Sequence, residues 1–143
     1  MTEVAFHFNV PDKLEYSCRL LRKAWGSGAR VMVTGNRDTL SRLDQLLWTF
    51  SQLEFVPHCQ LTAPAGTVAE SPVVLASSLQ DCPHHEVLVN LGLEVPAGFE
   101  RFERFIELVS VAEDDRLAAR SRWKHYADRG YALKRHDLAG AAA

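Results

Sequence analysis

Apolar and polar positions along the chain recur at two periods, one near two residues and one near three and a half. Residues 4–10 are rich in β-forming side chains and alternate in places, which predicts a strand. Pro11 and Asp12 then open a helix in which Leu14, Cys18, Leu21 and Trp25 recur at helical spacing, and Gly26 and Gly28 mark its end. Residues 30–34 (RVMVT) are short and nearly all apolar, the pattern of a strand buried on both faces of a parallel sheet. Gly35 and Asn36 turn the chain, and Asp38 or Thr39 is placed to cap a second helix. Leu40, Leu43, Leu47 and Phe50 form the core stripe of that helix.

The second half is less regular. Residues 55–58 read as a short edge strand and 62–71 as a Pro/Gly/Ala loop, and 73–77 and 86–91 read as two further strands. Pro96 to Gly98 predicts the start of a helix that gathers Phe99, Phe102, Phe105 and Ile106 on one side. A last helix runs through RLAARSRWKHYADRGY, with acids 113–115 in its first turn, where the macrodipole favours them, and Gly130 at its end. Strands alternating with helices predict an α/β fold, a three-layer α/β/α sandwich around a mainly parallel sheet. With 143 residues the expectation is one domain over 1–138 and a frayed tail at 139–143.

Charge adds what periodicity does not. Residues 116–136 carry seven Lys/Arg against one acid, a net +6, while the whole chain is −2, so the remainder sums to −8. In a helix, Arg116, Arg120 and Lys124 stack at i, i+4 and i+8, with Trp123 beside them. A cationic stripe flanked by an aromatic suits an acidic segment that has an apolar end. A weakly charged chain with one local stripe is a poor match for coating nucleic acid. Leu117, Ala118 and Ala119 offer another face to bury, which leaves Trp123 at the edge. Trp48, Phe55 and Val56, near the Pro57 turn, are either core or a second, hydrophobic docking surface.

The chemistry common to this fold class is missing from the loops that would carry it. NVPDKLE has no glycine, TGNRDTL has one and no Lys-Ser/Thr, and GSG at 26–28 precedes a strand rather than a helix. The fold expected is therefore Rossmann-like without a nucleotide site. His58-Cys59 and Cys82-Pro83-His84-His85 lack zinc-ligand spacing and read as isolated surface residues, so no metal and no cofactor is expected. Thr34, Ser77, Ser78 and His7 lack the context of an activated nucleophile or its base, and nothing points to an enzyme. Three cysteines at irregular spacing suit reduced thiols. The N-terminus has neither the basic region nor the cleavage site of a signal peptide, so a cytoplasmic protein is expected.

The chain resembles the chi subunit family of the bacterial DNA polymerase III holoenzyme. The likeness rests on AFHFNV, AWGSGARVMV, LDQLLWTF followed by LEFVPH, and the basic, aromatic ending RSRWKHYADRGY, in that order over nearly the whole chain. It implies a non-catalytic accessory subunit with two partners: the acidic C-terminal tail of single-stranded DNA-binding protein, and the clamp loader through its psi subunit. By motif, the tail-binding positions fall on Val109, Arg116, Arg120 and Trp123, with Lys124 beside them. The psi-binding positions fall on Trp48, Phe55 and Pro57. The alternative is a degenerate nucleotide-binding or helicase-like domain that grips DNA directly.

Overall fold

The computed structural model describes residues 2–49 and 56–138. A seven-stranded sheet is its frame: β1 (Glu3–Val10), β2 (Val31–Thr34), β3 (His58–Gln60), β4 (Val73–Ala76), β5 (Val87–Asn90), β6 (Arg104–Ser110) and β7 (Leu133–Asp137). The strands lie in the order β3-β4-β2-β5-β6-β1-β7, and all their pairings are parallel. Four helices accompany them: α1 (Lys13–Gly26), α2 (Arg37–Thr49), α3 (Ala65–Glu70) and α4 (Glu113–Asp128).

Strand alternation divides the core into two layers. Val31 and Val33 of β2, Val73 and Leu75 of β4, and Val87 and Val89 of β5 face α1 and α2, where Cys18, Leu21, Leu40, Leu43 and Leu47 cover them. Met32, Val74, Leu88 and Phe105 face the other way, with Val4 and Phe6 of β1, and pack under Val68 of α3, Phe99, and Ala119 and Tyr126 of α4. The three-layer α/β/α expectation stands, with a wholly parallel sheet among the described strands.

Local chemistry sets the helix ends. Asp12 caps α1 by accepting from the backbone N–H groups of Leu14 and Glu15, both at 3.1 Å. Gly28 takes φ +85° just past its C-terminus. For α2 the cap is Asn36, whose Oδ1 accepts from Thr39 N at 2.8 Å, rather than Asp38 or Thr39. Trp25 of the α1 stripe is 38% exposed.

Four other expectations change. The 62–71 loop contains the short helix α3. The helix expected after Pro96 is one 3-10 turn, Phe99–Arg101, followed by strand β6. Phe99, Phe102 and Phe105 mimic helical spacing, but residues 104–110 find ladders on both sides, with β5 and β1. Phe105 and Ile106 therefore point to opposite faces. The basic end also contains β7, an edge strand parallel to β1 whose polar sequence hides it. Finally, β3 is His58–Gln60 rather than 55–58, and Phe50, Phe55 and the 139–143 tail lie outside the described residues.

Candidate functional site

Helix α4 is held against the sheet by buried polar groups as well as by apolar packing of Ala119, Trp123 and the Tyr126 ring. Its buried positions are Asp115, Ala119, Arg122 and Tyr126; of the expected Leu117–Ala119 face, Ala119 packs, Ala118 is half-buried and Leu117 is 52% exposed. Arg122, one of the seven cations counted from sequence, is enclosed: its Nε donates to Glu107 Oε2 at 2.9 Å and its Nη1 to Leu93 O at 2.8 Å. Tyr126 donates to the same Oε2 at 2.6 Å, and Asn90 Nδ2 donates to Glu107 Oε1 at 2.8 Å. Complete burial pushes the Glu107 carboxyl above its ordinary range, and Arg122, Tyr126 and Asn90 pull it back. Burial, with Glu107 adding to it, likewise raises the Tyr126 phenol and keeps it a donor. At the N-terminal end, Asp115 Oδ2 accepts from Lys13 Nζ at 3.0 Å and from Ser110 N at 2.7 Å.

These directional bonds fix the rotation of α4 about its axis. With Asp115, Arg122 and Tyr126 turned inward, Arg116 and Arg120 fall on the flank that overhangs β1. There a pocket of about 380 Å³ opens, lined by Phe6, Phe8 and Asn9 of β1, Val109 of β6, Arg116, Ala119, Arg120 and Trp123 of α4, and Arg135 of β7. Its floor is apolar and aromatic: the Trp123 ring stands edge-on to Phe6 with centroids 5.1 Å apart. Its rim is cationic. Among the described residues, Arg116, Arg120 and Arg135 form no salt bridge.

Of the positions singled out for the tail, Val109, Arg116, Arg120 and Trp123 converge on this pocket, and Lys124 lies exposed on α4 outside its lining. Phe6, Phe8, Asn9, Ala119 and Arg135 complete it. The alternation of Val4, Phe6 and Phe8 put the two phenylalanines on one strand face, but nothing local showed that this face meets α4.

The second candidate surface lies at the other edge of the sheet and on its opposite face. Trp48, at the end of α2, is 61% exposed, with its ring 5.2 Å from that of His58. Beneath it, His58 Nε2 lies 3.1 Å from Asp44 Oδ1. Pro57 is half-buried and Val56 is core. Phe55, the third residue expected here, is outside the described residues.

His58, Cys59 and His84 are buried rather than on the surface, which corrects the sequence reading. Among the described residues, no three His, Cys, Asp or Glu side chains gather where they could hold a metal. Burial pushes the Cys18 and Cys82 thiols up to about 11, away from the thiolate that chemistry there would require. At the carboxyl ends of the strands, where this fold class binds phosphates, a cleft of about 1040 Å³ includes Glu94, Asp114 and Asp115. Its Lys13 is already engaged by Asp115 and by Leu91 O at 2.9 Å. No described helix is long and apolar enough to cross a membrane.

Comparison with known proteins gives one family. A model described as DNA polymerase III chi subunit, HolC, matches residues 1–134. A DNA polymerase III subunit chi from Pseudomonas aeruginosa is 35% identical over 144 residues, covering 96% of this chain and 98% of that protein. The Escherichia coli (strain K12) DNA polymerase III subunit chi is 26% identical over 118 residues, covering 81% of this chain and 79% of that protein. The chain belongs to the DNA polymerase III chi subunit family, an accessory and non-catalytic part of the replicative polymerase.

Proposed function

We propose that the chain tethers single-stranded DNA-binding protein to the clamp loader, acting in the cytoplasm as part of the polymerase III assembly. The pocket beside α4 takes the acidic C-terminal tail of single-stranded DNA-binding protein, and the Trp48 surface takes the psi subunit. The observation that carries the first half is the pocket itself: an apolar floor under guanidinium groups that have no carboxylate partner among the described residues. Such a site rewards an apolar side chain and an anion presented together, as at the end of an acidic peptide. Val109, Arg116, Arg120 and Trp123 are the principal contacts, with Lys124 supplying charge from the exposed side of α4.

Exposure supports the second half. A tryptophan at 61% exposure beside a proline turn is an apolar group that a partner would cover, and Trp48 and Pro57, with Phe55, form the proposed psi surface.

Titration calorimetry with an acidic, Phe-terminated peptide tests the tail site. Arg116→Ala and Arg120→Ala should each weaken binding by roughly ten- to a hundred-fold, the value of one charge-assisted hydrogen bond. Both side chains are exposed, so the fold should be unaffected. Wild-type affinity in both variants removes α4 from the binding site.

A further inference from the structure

Under Trp48 lies a polar pair that no local pattern announces. Asp44 and Trp48 stand four residues apart on α2, so one turn of helix puts both on the same flank. His58 opens edge strand β3, which pairs with β4 alone among the described strands, and its side chain is wholly enclosed. Its Nδ1 donates to Val56 O at 2.7 Å; a carbonyl oxygen can only accept, which fixes a proton on that nitrogen. Across the ring, Nε2 lies 3.1 Å from Asp44 Oδ1. The imidazole is thus held on both nitrogens, once by the backbone before β3 and once by α2. From that fixed place it stands edge to face with the Trp48 indole, centroids 5.2 Å apart and planes at 62°.

Both nitrogens face acceptors, so neither is open to take a proton from a substrate. What remains for the ring is its contact with the indole. A side chain that is 61% exposed ordinarily samples several rotamers, and each one given up on docking costs binding free energy. An imidazole pinned at two points and set edge-on to the indole narrows that choice in the free chain. A tryptophan already turned to one direction loses less freedom when a partner covers it, and such preorganised aromatics become the centres of interfaces. Asp44 acts one step further back: it orients His58, and through it Trp48.

We propose that Asp44 and His58 are positioning residues for the Trp48 docking surface, holding the indole in its binding direction before the partner arrives. The inference rests on the reading of Trp48 as the psi surface. Neither residue need touch the partner, since both act through the tryptophan.

Fluorine NMR of the full chain and its affinity for psi, measured together, test this. The chain has three tryptophans, Trp25, Trp48 and Trp123, so 5-fluorotryptophan labelling gives three resonances and Trp48→Phe assigns the relevant one. The variants are Asp44→Asn, which removes the charge facing Nε2, and His58→Asn, which keeps a donor for Val56 O and removes the ring. In each, the Trp48 resonance of the isolated chain should move while those of Trp25 and Trp123 stay in place. Psi should bind each about two- to ten-fold more weakly, the ordering cost of one large side chain. In a Trp48→Phe background the same two changes should alter psi affinity by less than about two-fold, because no indole is left to position. Equal weakening in both backgrounds would make the pair a general structural support and overturn the proposal. An unmoved Trp48 resonance in both variants would overturn it too, as would wild-type psi affinity in both. Asp44 is partly exposed, so Asp44→Asn decides the matter if His58→Asn does not fold. If Trp48→Ala keeps wild-type psi affinity, the psi reading itself falls. If Trp48→Ala loses psi but Asp44→Asn and His58→Asn do not, that reading survives and only the positioning role fails.

Discussion

At the scale of single residues, burial has changed what several side chains are for. His84 is 9% exposed, and its ring nitrogens have no hydrogen-bond partner among the described residues. Burial, with help from Arg30 and against Glu86, lowers its pKa from 6.5 to about 4. His7, beside Tyr16 and His136, is lowered to about 4 as well, again mainly by burial. The sign follows from linkage: below pH 6.5 the unfolded chain takes up protons that the native imidazoles refuse until about pH 4. Stability contributed by the neutral rings is therefore full above pH 6.5 and lost as the pH falls toward 4. Urea midpoints at pH 7 and pH 4.5 should fall further apart in wild type than in His84→Leu, which has no proton to bind there. Equal pH dependence in the two proteins would exclude His84 from the effect.

At the scale of elements, α4 is the informative case. Its inward face carries Arg122 and Tyr126 where an ordinary amphipathic helix carries leucines, and both converge on Glu107 at the centre of the sheet layer. Leucines would pack at several rotations, whereas hydrogen bonds of 2.6 to 2.9 Å are satisfied at one. That rotation carries Arg116, Arg120 and Trp123 to the pocket. Glu107→Gln would leave Arg122 buried without a counter-charge, and should cost about 3–5 kcal/mol in urea unfolding. Arg122→Met instead leaves Glu107 uncompensated. Its deficit should be largest at neutral pH and shrink as the solution is acidified toward the ordinary carboxylate pKa, below which it is constant, because a protonated Glu107 no longer needs a cation. A pH-independent deficit in Arg122→Met would mean that packing, not charge, holds the helix.

For the whole molecule, sheet order sets the distance between the two proposed surfaces. The Trp48 surface adjoins β3 at one edge and the α1/α2 layer, and the pocket adjoins β1 and β7 at the other edge and the α4 layer. Sites so placed share no side chain and should behave additively. Trp48→Ala should preserve the fold, leave peptide affinity within about two-fold of wild type, and abolish co-purification with psi. Loss of folding instead would make Trp48 a packing residue despite its exposure. Retention of psi with an intact fold would move that interface elsewhere.

Much of this architecture was written in local pattern. Val31–Thr34, Val73–Ala76 and Val87–Asn90 are apolar on both sides because both faces of a parallel sheet are covered, and a short apolar run states that directly. The stripes of α1 and α2, and the concentration of charge in residues 116–136, are equally properties of the chain alone. So is the choice of Arg116, Arg120 and Trp123, because one helical turn brings residues four apart together in any context. Tertiary structure decided the rest, for a common reason: each outcome depended on a partner distant in sequence. β6 became a strand because β5 and β1 supply its ladders, and β7 because β1 offers an edge, although Leu133–Asp137 shows little β-forming character. Arg122 turned from a surface cation into a core residue because Glu107 waits fifteen residues earlier on a neighbouring strand. Arg135 entered the pocket because β7 runs beside β1. Periodicity records which face of a segment avoids water; what that face meets, and which charges are left without partners, is settled only when the chain closes on itself.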